Sequence, residues 1–264
     1  MHQHMNLSDQ KIIVTGCANG IGEALCKALS SHGSQVLGLD YCAPHDELLK
    51  VFNFEFQQQD LTAPNMSEAW SKILTSFDPD IIVHSAGRGS MGDYGDIPLD
   101  QERAMIDLNV GATMTLVHTA VNTLSDDRAR HIILLSSLAG ISCVPGMATY
   151  SATKHFVSGL ANSVNEELRI RGRNMKISTL TPPPVRTKFR ENMGYEERDK
   201  KISGVLRPTD VAKDILYVMR HPQQSRITGF RHRLLNRIMP LIPKRFLYRK
   251  IYEISMHDLQ PLKK

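Results

Sequence analysis

The chain has 264 residues, room for one α/β domain with a full core. Its formal net charge of +5 is unevenly spread: ten basic residues stand against Glu253 and Asp258 between Arg226 and Lys264, a segment charge of +8 that leaves −3 for the body. That balance does not suggest a nucleic-acid partner, Cys17, Cys26, Cys42 and Cys143 lack metal-ligand spacing, and no apolar run reaches the ~18 residues of a membrane span.

No N-terminal stretch reads as a signal peptide, so a cytoplasmic protein without a metal site is expected. Taken in order, Lys11–Val14 reads as a strand and Glu23–Leu29 as a helix, joined by Thr15-Gly16-Cys17-Ala18-Asn19-Gly20-Ile21-Gly22. A strand, a glycine-rich turn and a helix N-terminus form a cradle for a diphosphate, because the glycines admit close backbone approach and free N–H groups attract the anion. A second strand, Gln35–Leu39, ends at Asp40. In a dinucleotide fold an acid there hydrogen-bonds the adenosine ribose and repels a 2′-phosphate, which favours NAD(H) over NADP(H). Further strands are expected at Asn53–Phe56, Asp80–His84, His131–Leu135 and Lys176–Leu180, and helices near Pro64–Phe77, over Leu99–Leu124 and over about Thr149–Ile170. Asp60 or Thr62 could cap the first of these helices. The last carries Tyr150 and Lys154, four residues apart and so on one face. An ammonium beside a phenol favours the phenolate and brings a group that titrates near pH ~10 toward neutrality, where it can move a proton. Ser137 lies just past the fifth strand, its hydroxyl delivered to the same edge. The stripe Val157, Leu160, Ala161, Val164 and Leu168 is either core or a seam between subunits. Lys188–Val205 is polar and suits a lid, and a helix begins at Pro208 with Thr209 or Asp210 near its cap.

Three motifs, T-G-x-x-x-G-I-G at Thr15–Gly22, S-S-x-A-G at Ser136–Gly140 and Y-S-A-T-K at Tyr150–Lys154, together resemble the short-chain dehydrogenase/reductase family over about residues 11–229. The resemblance implies a Rossmann-type doubly wound parallel sheet of six or seven strands and nicotinamide-dependent hydride transfer between an alcohol and a ketone. It implies that Tyr150 moves the proton, Lys154 binds the nicotinamide ribose, Ser137 holds the substrate oxygen and Asn109 keeps a relay water in place. Asp60 and Leu61 would contact the adenine, and Ser85, Ala86 and Gly87 would line the cofactor ribose, although the family's usual N-N-A-G is His84-Ser85-Ala86-Gly87 here. The P-G-x-V-x-T pattern is met by Pro182, Val185 and Thr187, with Pro183 in place of the glycine. His84 itself reads as a core histidine. A homodimer or homotetramer is expected, and a catalytically silent NAD(P)-binding regulatory or sensor protein on the same fold is the alternative function.

Residues 1–229 are thus expected as the catalytic domain and 230–264 as an extension, past the point where the resemblance thins. In the extension Leu234, Leu235, Ile238 and Met239 alternate with Arg231, Arg233 and Arg237, and Pro240 and Pro243 split it into two short helices. The pattern suits peripheral contact with anionic membrane or packing against another subunit.

Overall fold

The computed structural model describes residues 6–189, 193, 205–222 and 225–257. Among these, seven strands form one parallel sheet in the order β3-β2-β1-β4-β5-β6-β7. They are β1 (Lys11–Thr15), β2 (Gln35–Asp40), β3 (Phe54–Gln58), β4 (Ile81–His84), β5 (Arg130–Leu135), β6 (Met175–Thr181) and β7 (Ser225–Ile227). Between them run α1 (Gly20–Ser30), a short α2 (Asp46–Leu49), α3 (Met66–Phe77), α4 (Leu99–Ile106), α5 (Thr113–Thr123), α6 (Ala148–Ile170) and α7 (Pro208–Arg220). The central strands are apolar almost throughout because both sheet faces are covered. Alternation then sorts each strand's side chains. Ile12 and Val14 of β1 point with Ile133 toward α1 and α7, where they meet Leu25, Leu29, Val211 and Ile215. Ile13 points with Ile132 and Leu134 the other way, onto Trp70 of α3, Leu116 of α5 and Val157 of α6. Each such buried side chain contributes roughly 1.5–3 kcal/mol relative to exposure.

The apolar stripe of α6 is core. Val157, Ala161 and Leu168 are buried in the second cluster, with Leu160 and Val164 packed against it. The helix expected over Leu99–Leu124 is interrupted by a π-helical turn at Asp107–Ala112 that holds Asn109. Asp60 caps no helix: its Oδ1 accepts from the Thr62 N–H at 2.8 Å and hydroxyl at 2.7 Å, a local turn, and Asn65 occupies the N-cap of α3. At α7, the Asp210 carboxylate accepts the backbone N–H of the N-cap residue Arg207 at 3.1 Å and so ties the cap to the first turn. Past β7 come α8 (Phe230–Ile238), a 3₁₀ turn at Met239–Leu241 and α9 (Lys244–His257). Of the expected lid, 190–192 and 194–204 lie outside the described residues.

Candidate active site

β1 and β4 are neighbours, with Ile12 opposite Ile81, yet β2 and β3 lie to one side and β5 to the other. At this reversal the connections leave in opposite directions and a crevice opens past the carboxyl ends of the strands. Six strand ends deliver residues there: Gly16 after β1, Asp40 ending β2, Asp60 after β3, Ser85–Gly87 after β4, Ser137 after β5 and Pro182 after β6.

The glycine turn is closely built. Gly16 has φ +68°, and a β-carbon on it would stand 2.8 Å from the Ala86 nitrogen. One on Gly22 would meet the Gly16 carbonyl oxygen at 2.0 Å, so α1 can approach the turn only with glycine there. Asn19 is the N-cap of α1, with Gly20, Ile21 and Gly22 as its first turn. The Asp40 carboxylate accepts the Ala18 N–H at 2.9 Å and the Cys42 N–H at 3.1 Å, which fixes a negative charge beside the turn. Thr187 reaches over from the other side, its methyl 3.1 Å from where a Gly20 β-carbon would be. The segment carrying Thr187 is itself held, since Pro182 accepts the Leu138 N–H at 3.2 Å and Val185 bridges to Leu206. Leu61 is buried with the Trp70 cluster and Asp60 is exposed at the rim. A backbone cradle without room for side chains, a fixed carboxylate beside it and a helix N-terminus above it fit a dinucleotide.

Deeper in, Tyr150, Lys154, Ser137 and Asn109 come together. The Lys154 ammonium lies 5.9 Å from the Tyr150 ring centroid and donates to the Leu135 carbonyl at 2.9 Å. Both side chains are buried, and burial disfavours their charged forms. It pushes the Tyr150 phenol up to about 12, against the opposing hydrogen bond from Ser137, and brings Lys154 down to about 8. The phenol therefore moves opposite to the direction expected from its spacing to Lys154, because desolvation outweighs the opposing hydrogen bond with Ser137. Asn109 is almost fully buried; its Nδ2 donates to the Arg88 carbonyl at 2.8 Å and the Thr153 hydroxyl at 3.1 Å, and its Oδ1 accepts the Arg88 N–H at 3.0 Å. It thus clamps the strand-end loop carrying Gly87 to the helix carrying Lys154. A β-carbon on Gly87 would sit 3.1 Å from Asn109 Oδ1 and 3.5 Å from Lys154 Nζ.

His84 bonds the Thr15 hydroxyl at 2.9 Å, and that hydroxyl accepts the Ala86 N–H at 3.2 Å. Burial, with Lys154 adding to it, lowers His84 to about 3 and keeps it neutral, as a core histidine. Sequence reasoning missed the surroundings of the phenol. Met105, Ala139, Val144, Met147 and Phe189 surround Tyr150, with the Phe189 ring 5.8 Å from it. These residues come from four separate segments, so no local pattern marks them.

A sequence model described as short chain dehydrogenase matches residues 10–198. An uncharacterized oxidoreductase of Staphylococcus saprophyticus is 25% identical over 237 residues, covering 85% of this chain and 96% of its own. One from Staphylococcus aureus is 28% identical over 229 residues, covering 84% and 95%. Among solved structures, a short chain dehydrogenase/reductase from Burkholderia phymatum in complex with NAD has a TM-score of 0.76 at 21% identity, covering 98% of this chain and all (100%) of its own. A short chain dehydrogenase from Burkholderia cenocepacia in complex with NADP also scores 0.76, at 17% identity and 94% and 99% coverage. With the family model spanning most of the chain and the strand-end residues assembled at one crevice, the protein belongs to the short-chain dehydrogenase/reductase family.

Proposed function

We propose that the protein is an oxidoreductase transferring a hydride between a nicotinamide dinucleotide, NAD(H) before NADP(H), and a hydrophobic alcohol or ketone. Residues 1–229 form the catalytic body and 230–264 an extension, in a homo-oligomeric protein of the cytoplasm that meets anionic membrane peripherally. The observation that carries the reading is the meeting of Tyr150, Ser137 and Lys154 in one apolar-walled site beside a glycine cradle.

When bound, the dinucleotide supplies or accepts the hydride, and this chain's residues handle the proton and the charge. Gly16, Asn19, Gly20, Ile21 and Gly22 would hold the diphosphate, Asp40 the adenosine ribose, and Asp60 and Leu61 the adenine. Ser85, Ala86, Gly87, Pro182, Val185 and Thr187 would border the nicotinamide half. A phenol raised to about 12 is protonated at neutral pH, the form that gives a proton to a carbonyl oxygen as negative charge grows on it. Ser137 donates to the same oxygen and steadies that charge. Lys154, cationic below about 8, offsets the charge left on the phenolate and would also bond the nicotinamide ribose. Asn109 keeps Lys154 and the Gly87 loop in register. The apolar wall around Tyr150 favours a hydrophobic substrate. A silent sensor would have no use for a phenol held beside a serine and a lysine.

The test is a turnover screen of hydrophobic alcohols and ketones with NAD(H) and NADP(H), with Tyr150→Phe as its control. The variant is expected to lose roughly a hundred-fold or more in kcat while NAD(H) Kd stays within about threefold, since the cradle is untouched. Activity within a few-fold of wild type would sink the mechanism.

A further inference from the structure

The helix α8 is docked with its amphipathic faces reversed. His232, Arg233 and Asn236 are half-buried against the protein, whereas Phe230 (73% exposed), Leu234 (50%) and Ile238 (47%) line its outward face one turn apart. Leu235 and, past the helix end, Leu241 (82%) widen that face. No residue of α8 is fully buried, so apolar burial against the body does not explain its position. Arg231 flanks the apolar stripe on one side and Arg237 on the other, both exposed. From Arg226 to Tyr252 the chain holds eight Lys/Arg and no Asp or Glu. Among the described residues, Arg231, Arg237, Lys244 and Arg245 have no acidic partner, while Arg226 pairs with Asp214 and Arg249 and Lys250 with Glu253.

We infer that the outward face of α8, continued by Leu241, lies on an anionic lipid bilayer. An apolar stripe bordered by exposed arginines matches an interface with hydrocarbon at its centre and phosphate around it. A second copy of the chain fits this face poorly, because pairing α8 with itself would gather Arg231 and Arg237 of both copies around one seam to which the helix brings no acidic residue. The next helix fixes how the site stands to the membrane. From α9 the Tyr252 hydroxyl donates to Asp93 at 2.6 Å, Tyr248 lies beside Cys143, and Met256 lies 3.1 Å from where a Gly146 β-carbon would be. Those loops, joined by the Gly92 N–H to the Gly146 carbonyl at 2.9 Å, border the wall around Tyr150. A lipid-bound α8 therefore brings the mouth of the site to the bilayer surface, where a lipophilic alcohol or ketone partitions. This last step rests on the hydride-transfer reading; the docking does not.

The experiment is co-sedimentation of the full chain with phosphatidylcholine vesicles, alone or with about 30% phosphatidylglycerol, in about 0.05 M and about 0.5 M salt. Pelleting is expected with the anionic vesicles at low salt and its loss at high salt. Arg231→Gln with Arg237→Gln should lower partitioning roughly thirty-fold, and Leu234→Ser with Ile238→Ser should abolish it, each with NAD(H) affinity unchanged as a control for folding. Protein that stays in the supernatant in every condition, or variants that pellet like wild type, would overturn the inference. So would a smaller subunit number in Leu234→Ser with Ile238→Ser by analytical ultracentrifugation, which would assign the face to a second copy. Pelleting is read without turnover, so its outcome is separate from that of the Tyr150→Phe test.

Discussion

His84 and His131 stand on the adjacent strands β4 and β5 with buried rings, each lowered to about 3, by burial first and by Lys154 and Lys176 respectively. In the unfolded chain both take up a proton near pH ~6.5, whereas the folded chain refuses it until much lower pH. The unfolded state then binds more protons through that window, so stability falls as pH drops from about 6.5 toward 3, by roughly 3 kcal/mol per unit for the pair. Urea midpoints at pH 7, 6 and 5 should show the decline and His84→Asn should reduce it; a flat midpoint would contradict it. At Asp40, a 2′-phosphate would meet a carboxylate already fixed by two N–H groups, and a preference for NAD(H) of roughly ten- to a hundred-fold, about 1.4–2.7 kcal/mol, is expected. Asp40→Ser should narrow that gap in kcat/KM, and equal efficiency with NADP(H) in the wild type would refute the assignment. Spacing made Tyr150, Lys154 and Ser137 legible before any fold was known. It did not reveal the upward shift of the phenol, because burial depends on Met105, Ala139 and Phe189, which meet Tyr150 only in three dimensions.

At the scale of elements, apolar runs and glycine punctuation placed the first six strands, with ends displaced by one or two residues. The strand β7 has only three residues and the helix α2 four, too short for a period to declare itself. The π-helical turn was hidden for a different reason. It adds a residue to a helical turn without altering the composition, so Leu99–Leu124 reads as one helix while Asn109 is turned onto Arg88 and Thr153. The kink at the prolines of the extension was legible, but not where α9 would rest. Its hydroxyl contact at Asp93 gives a direct test. Tyr252→Phe removes one exposed hydrogen bond to a carboxylate and should loosen the substrate loops. KM for the alcohol or ketone is expected to rise about fivefold, with kcat within about twofold and NAD(H) affinity unchanged. A fall in kcat at constant KM would place Tyr252 in the chemistry instead.

For the whole molecule, the two edges of the sheet do different work. The carboxyl edge gathers the cradle and the phenol, while the amino edge is closed by charge: Arg128 bonds Asp78 and Asp80, and the buried Arg130 bonds Asp78 and Asp127. The fold class was legible because strands alternating with helices admit few arrangements. The strand order has a further consequence, for time rather than for structure. Lys11 and Asp80 exchange hydrogen bonds across 69 residues, and β1 cannot gain its second neighbour until β4 arrives. Until then the most apolar strands of the chain present open edges, which are templates for pairing between molecules. Refolding from denaturant should therefore be slow, and its yield should fall as protein concentration rises, because docking of β4 competes with aggregation.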